Sequence, residues 1–85
     1  MIKAPQLQVK VYAPFRTYFE GQAASVSAAN DTGPFDVLAQ HKNFMAILKP
    51  CTVVVRAPDK EDFQLNIEQG VMHVKDNKVT VFLDV

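Results

Sequence analysis

The 85-residue chain carries nine Lys or Arg and nine Asp or Glu, for a formal net charge of zero. That length holds one domain with a modest core, and the charge balance lacks the surplus of cations that phosphate neutralisation needs, which disfavours nucleic acid as the main partner. The single cysteine, Cys51, excludes an internal disulfide and suits a reducing, cytoplasmic setting. No apolar run approaches the roughly 20 residues of a membrane helix, and Ile2-Lys3-Ala4-Pro5-Gln6 is too polar and too broken by proline for a secretory signal.

Leu7, Val9 and Val11 alternate with Gln8, Lys10 and Tyr12, the period of a strand with one buried face. Ala13-Pro14 ends that strand, since proline cannot donate to a continuing ladder. Arg16-Thr17-Tyr18-Phe19-Glu20 is a second short strand, and Gly21 allows a bend after it. A third run, Ala23 to Ala28, sets small residues around Val26; Ser25-Val26-Ser27 favours a strand over the helix that alanine alone would suit. Residues 29–34 read as a loop, because Asn30-Asp31-Thr32-Gly33-Pro34 is made of turn formers and breakers. Phe35-Asp36-Val37 is expected to pair only briefly before a corner at Ala39 to Lys42.

Phe44-Met45-Ala46-Ile47-Leu48 is apolar on both faces, which fits a central strand covered on each side or a short buried helix. Pro50 and the run Val53-Val54-Val55 favour the strand, and Cys51 to Ala57 is another strand apolar on both faces. Pro58-Asp59-Lys60-Glu61-Asp62 is a charged, solvated turn rather than a pair of catalytic carboxylates. Phe63, Leu65 and Ile67 alternate with polar residues in an amphipathic strand, and Gly70 breaks or bulges that strand. In the last unit, Asp76-Asn77 tolerates the positive φ of a two-residue type I′ turn. That turn sets Lys75 opposite Lys78, Val74 opposite Val79, His73 opposite Thr80, Met72 opposite Val81 and Val71 opposite Phe82. Met72, Val74, Val79, Val81 and Leu83 then face the core, and the other face presents Val71, His73 and Phe82. These elements imply an all-β fold, a flattened β-barrel or β-sandwich.

Nothing along the chain assembles a catalytic set. Cys51 follows a proline and opens an apolar strand, as a buried structural thiol does. His41 and His73 lack metal-ligand spacing, and no cofactor motif is present. The stretch from Asp31 to Asn43 is the one break in the alternation, with a Gly-Pro pair and His41 inside it, and is the place where a specific partner contact is expected. Asp36 lies near enough in sequence to influence that imidazole. Phe15 and Tyr18 are expected to pack in the core.

Three stretches together resemble the N-terminal domain of the ε subunit of F-type ATP synthases, called δ in mitochondria. Phe19-Glu20-Gly21-Gln22-Ala23-Ala24-Ser25-Val26 is similar to that family's Phe-x-Gly-x-Ala-x-x-Val pattern. Gly33 to Cys51 is similar to its Gly-x-Phe/Leu-Gly/Asp-Ile/Val-Leu/Tyr-Pro-Gly-His run, leucine-rich strand and Lys-Pro-Gly turn. Gly70 to Val81 is similar to its Gly-Gly, Glu/His-Val and Asn-x-Val-Thr-Val hairpin. The departures are Ala39-Gln40 for Pro-Gly, Cys51 for the glycine after Lys-Pro, and Gln69-Gly70 for paired glycines.

The resemblance implies about ten short strands in two sheets and a non-catalytic rotor subunit that needs no cofactor or metal. It implies the γ subunit and the membrane c ring as partners, and a peripheral location at the cytoplasmic membrane face through the complex. Gly33, Pro34, Phe35, Asp36, Ala39, Gln40 and His41 match the c-ring-facing loop, and Val71, His73 and Phe82 are candidates to face γ. The family usually continues into a helical hairpin that carries inhibition and, in some members, nucleotide binding. This sequence closes at Val85 on the sandwich alone, whether as a short member or as part of a longer chain, so neither property is carried over. The lost glycines leave a second reading open, a free-standing β-sandwich that binds another protein or a small ligand.

Overall fold

A computed structural model of the chain describes residues 6–40, 42–57 and 61–83. Among them are nine strands and no helix: β1 (Leu7–Ala13), β2 (Arg16–Ala23), β3 (Ser25–Asn30), β4 (Gly33–Leu38), β5 (Phe44–Leu48), β6 (Cys51–Arg56), β7 (Phe63–Ile67), β8 (Gly70–Lys75) and β9 (Lys78–Leu83). They form a five-stranded sheet, β2-β1-β9-β8-β5, packed on a four-stranded sheet, β4-β3-β6-β7.

The final hairpin has the register that its turn residues dictate, from Lys75↔Lys78 to Val71↔Phe82. Asp76 and Asn77 take φ of 50° and 63°, the left-handed pair that lets a two-residue turn match the strand twist. Met72, Val74, Val79, Val81 and Leu83 are accordingly buried. β1 lies parallel to β9, Val9 beside Val79 and Val11 beside Val81, so its alternating valines extend the same buried layer. Val26, Ala28, Val37, Val53, Val55 and Ile67 supply the facing layer from the other sheet.

The architecture is the expected two-sheet sandwich, with nine strands among the described residues, and it is not a closed barrel. Among the described residues no ladder joins β4 to β5 or β2 to β7. Aromatic pairs close those two flanks instead. Phe35 of β4 meets Phe44 of β5 edge to face at 5.9 Å, and Phe19 of β2 meets Phe63 of β7 at 5.4 Å. Edge strands with side-chain closure need no shared backbone bonds.

Several local expectations are corrected. β2 runs through Gly21 to Ala23 without ending in a bend, and its irregularity lies earlier, where Val11 faces Phe19 and Tyr12 faces Thr17, leaving Tyr18 as the extra residue of a bulge. Residues 29–34 are a tight hairpin rather than a loop: β3 reaches Asn30, β4 starts at Gly33, and Asn30 Oδ1 accepts from the Thr32 N–H at 2.9 Å and from the Thr32 hydroxyl at 2.7 Å. That Asx turn satisfies polar groups which composition alone assigns to solvent. β4 therefore pairs with β3 along all six residues rather than briefly, and Pro34 is tolerated because β4 is an edge. Lys49 ties this turn to the next one, its amide donating to Ala29 O at 3.0 Å and its ammonium lying 2.9 Å from Asp31. The hydrogen bond to Asp31, and then the charge of Asp31, hold the Lys49 pKa above the ordinary lysine range.

β5 is neither central nor helical. It is the edge of the five-stranded sheet, with Ala46 and Leu48 inward and Met45 and Ile47 in solvent, 67% and 73% exposed. β6 alternates too, Val53 and Val55 inward and Thr52 and Arg56 outward, and Cys51 is half-buried rather than sealed in the core. Gly70 is no bulge. It is the first paired residue of β8, opposite Leu83 and Leu48.

Candidate partner-binding surfaces

Strand pairing sorts the outer face of the five-stranded sheet into rows. Ile47, Val71, Phe82 and Tyr12 lie side by side across β5, β8, β9 and β1. Met45, His73, Thr80 and Lys10 form the next row, and Lys75, Lys78 and Gln8 the one after it. One sheet face therefore grades from an apolar band at one end to a cationic band at the hairpin turn. Among the described residues, Met45, Ile47, Val71 and Phe82 all belong to the large apolar side chains left exposed, and only Leu38 of that class stands on the four-stranded sheet. A shallow groove of about 310 Å³ runs between Ile47, Gln69, Gly70, Val71 and Phe82. Val71, His73 and Phe82 thus stand outward as the hairpin register requires. Met45 and Ile47 join them, unforeseen because an apolar run reads as burial when its sheet position is unknown.

The second group of sequence-selected residues does not form a single loop. Gly33 and Pro34 open β4 at one end of the sandwich, and Ala39 and Gln40 follow its far end. At about 3.3 Å per residue the strand separates these ends by roughly 20 Å. Phe35 turns inward onto Phe44. Asp36 stands on the outer face of the four-stranded sheet, where its carboxylate accepts from the Ser27 hydroxyl. Ser27 Oγ in turn accepts from the Arg56 guanidinium at 2.6 Å. The serine relays the arginine's charge to the carboxylate, so Asp36 is oriented across three strands rather than free to swing. His41, and with it any pairing to Asp36, lies outside the described residues.

The corner after β4 is fastened to the β8–β9 turn. The Gln40 N–H donates to Asn77 Oδ1 at 2.5 Å, and the Asp76 N–H donates to Asn43 Oδ1 at 3.0 Å. Gln40 adopts φ of 66°, the left-handed conformation that glycine adopts freely. The turn shape of a Pro-Gly corner is thus kept without its glycine, held by the two asparagines. Neither Asn43 nor Asn77 is singled out by sequence for this, because nothing in periodicity says which turns of a sandwich meet. Gln40→Gly is expected to raise stability by about 0.5 kcal/mol in urea melts: relief of the left-handed strain, about 1 kcal/mol, exceeds the added freedom of the unfolded chain. A loss of stability would mean that the Gln40 side chain contributes to the corner.

Among the described residues no group of three or more His, Cys, Asp or Glu is placed to hold a metal, and no helix is long and apolar enough to cross a membrane. The described surface presents one graded apolar-to-cationic face and, at the hairpin-turn end, a hydrogen-bonded corner.

Comparison with known proteins agrees over nearly the whole length. Residues 6–85 match the family described as ATP synthase, Delta/Epsilon chain, beta-sandwich domain. An ATP synthase epsilon chain of Nitratiruptor sp. is 27% identical over 78 residues, 92% of this chain and 60% of that one. The epsilon chain of Psychrobacter cryohalolentis is 30% identical over 78 residues, 92% of this chain and 56% of the relative. The chain thus spans little more than half the length of these relatives. Among solved structures, a chain of the Euglena gracilis mitochondrial ATP synthase (OSCP/F1/c-ring) superposes with a TM-score of 0.85 at 21% identity, covering 94% of this chain and 51% of the other. A chain of the Tetrahymena thermophila mitochondrial ATP synthase central stalk and c ring gives 0.80 at 15% identity, covering 99% and 67%. At those identities the likeness speaks for the fold.

Proposed function

This chain belongs to the family of the ATP synthase delta/epsilon β-sandwich domain, and from that premise we propose that it is a non-catalytic rotor subunit bridging the γ subunit and the membrane c ring. The observation that carries the reading is the outer face of the five-stranded sheet. A freely soluble domain gains nothing by leaving Ile47, Val71 and Phe82 in one row in water, whereas a subunit that is always covered there does. In this reading γ covers that row, with Val71, His73 and Phe82 at the contact. The corner and its flank, Asp36, Ala39, Gln40 and His41, meet the polar loops of the c ring, with Gly33, Pro34 and Phe35 shaping the strand that leads there. The subunit sits peripherally at the cytoplasmic membrane face and turns with the rotor, helping to couple ion flow to ATP synthesis.

Reconstitution with cognate γ and c subunits tests this. The wild-type chain is expected to co-purify with γ, and Phe82→Glu to be lost from the complex while melting normally. Asp36→Ala combined with His41→Ala is expected to assemble but to lower ATP-driven ion pumping, with a nearly unchanged melting temperature. Failure of the wild-type chain to bind cognate γ under any condition would sink the reading. A large drop in melting temperature for the double variant would make that segment structural instead.

A further inference from the structure

We propose that Phe15, at the tip of the β1–β2 hairpin, is the anchor of the partner interface, seating in an apolar protein pocket with a carboxylate at its rim. The inference rests on the preceding reading that a protein covers the outer face of the five-stranded sheet. It corrects the expectation that Phe15 packs in the core, because the side chain is fully exposed.

The tip is built for presentation. Ala13 pairs with Arg16, so Pro14 and Phe15 alone make the turn. Proline at the first central position fixes φ, and Phe15 is not among the positive-φ residues, which together describe a type I turn. Such a turn fits the strand twist of a two-residue hairpin poorly, and the bulge at Tyr18 supplies the extra twist. Phe15 is therefore held on a stiff two-residue tip, and docking it costs little conformational entropy.

Its surroundings extend the apolar row. That row ends at Tyr12, whose ring meets Phe82 edge to face at 5.1 Å, and the chain passes from Tyr12 through Ala13 and Pro14 to Phe15. Lys10 Nζ lies 5.0 Å from the Tyr12 ring centroid, and the Arg16 guanidinium 4.8 Å from that of Tyr18. Arg16 forms no ion pair among the described residues. An exposed aromatic flanked by an arginine stacked on a tyrosine ring is the composition of interface hot spots, and a guanidinium beside the aromatic favours a carboxylate opposite. A bilayer fits less well: one aromatic on a chain of zero net charge supplies neither the apolar area nor the basic patch of a stable membrane anchor.

The test measures affinity for immobilised cognate γ with the wild-type chain, Phe15→Ala, Phe15→Leu, Arg16→Glu and Phe82→Glu, and melting temperature for each. Phe15→Ala is expected to weaken binding about 30-fold with no change in melting temperature. Phe15→Leu should recover most of the loss, and Arg16→Glu should weaken binding most at low salt. Binding of Phe15→Ala within twofold of wild type, while Phe82→Glu abolishes it, overturns the anchor and leaves the docking face standing. Normal binding by Phe82→Glu removes the face itself, and the anchor with it. Flotation with phosphatidylglycerol vesicles that Phe15→Ala alone loses, its γ affinity intact, assigns the tip to lipid and also overturns the proposal.

Discussion

Gly70→Ala is expected to lower the melting temperature by about 5–15 °C. A Cβ at this position would stand 2.9 Å from the Phe82 carbonyl oxygen and 3.1 Å from Leu83 Cδ2. The first of these is backbone, so no rotamer change relieves it. Gly70 sits opposite both Leu83 and Leu48, which means that making room parts β8 from β9 where their ladder ends. Overpacking of a well-filled interior costs about 1–3 kcal/mol. The smaller conformational freedom of unfolded alanine returns up to about 1 kcal/mol. A net loss of about 1–2 kcal/mol is a large share of the stability of a domain this size, and for a chain of this length corresponds to the stated shift.

The same substitution reaches function, since the carbonyl that must move belongs to Phe82, the centre of the exposed apolar row. Scanning calorimetry alongside binding to γ separates the two effects. An unchanged or higher melting temperature would show that the ladder yields a few tenths of an ångström at no cost, and Gly70 would then lose its structural reason. Gly33 is the contrasting case: its φ of 119° demands glycine, but nothing lies within 4 Å of a Cβ there.

What could be read beforehand was whatever local chemistry decides alone. The type I′ turn at Asp76-Asn77 fixes the register of ten residues around it, so the core face of β8 and β9 and the outward placement of Val71, His73 and Phe82 follow from two turn residues. The strand at Leu7 to Val11 follows from alternation in the same way. Position within a sheet is a different kind of fact. Met45-Ala46-Ile47-Leu48 has the same sequence whether both faces are covered or one face awaits a partner, and only the long-range order β8-β5 at an edge decides. Asp31 to Asn43 looks continuous along the chain, yet a six-residue strand divides it between two ends of the molecule. Asn30 and Thr32 disguised the hairpin between those halves as a loop, because the groups that make a tight Asx turn are those that also favour disorder.

The corner itself yields the second large effect. Asn77 performs three tasks: its side-chain oxygen accepts from Gln40 N–H at 2.5 Å, its carbonyl accepts from Gln8 N–H at 2.8 Å, and its backbone occupies φ of 63°. Asn77→Ala keeps only the carbonyl. Loss of the side-chain bond costs about 1 kcal/mol and a Cβ without a polar side chain in the left-handed region another 1–2 kcal/mol, so a drop of about 2–3 kcal/mol is expected. Asn77→Gly removes the strain but also the bond, and should lose roughly 0.5–1 kcal/mol. Asn77→Asp keeps both the acceptor and the tolerance for positive φ, and should match the wild type within about 0.5 kcal/mol. The order Asp, Gly, Ala in denaturant melts is thus the signature of a corner held by hydrogen bonding and turn geometry together. Equal losses for Gly and Ala would assign the whole effect to the bond, and a gain for Gly would show that the tie between the two turns carries no stability. Because Gln40 belongs to the segment proposed to meet the c ring and Asn43 follows it closely, Asn77→Ala should also lower coupling in the reconstituted complex without altering a ring-facing side chain.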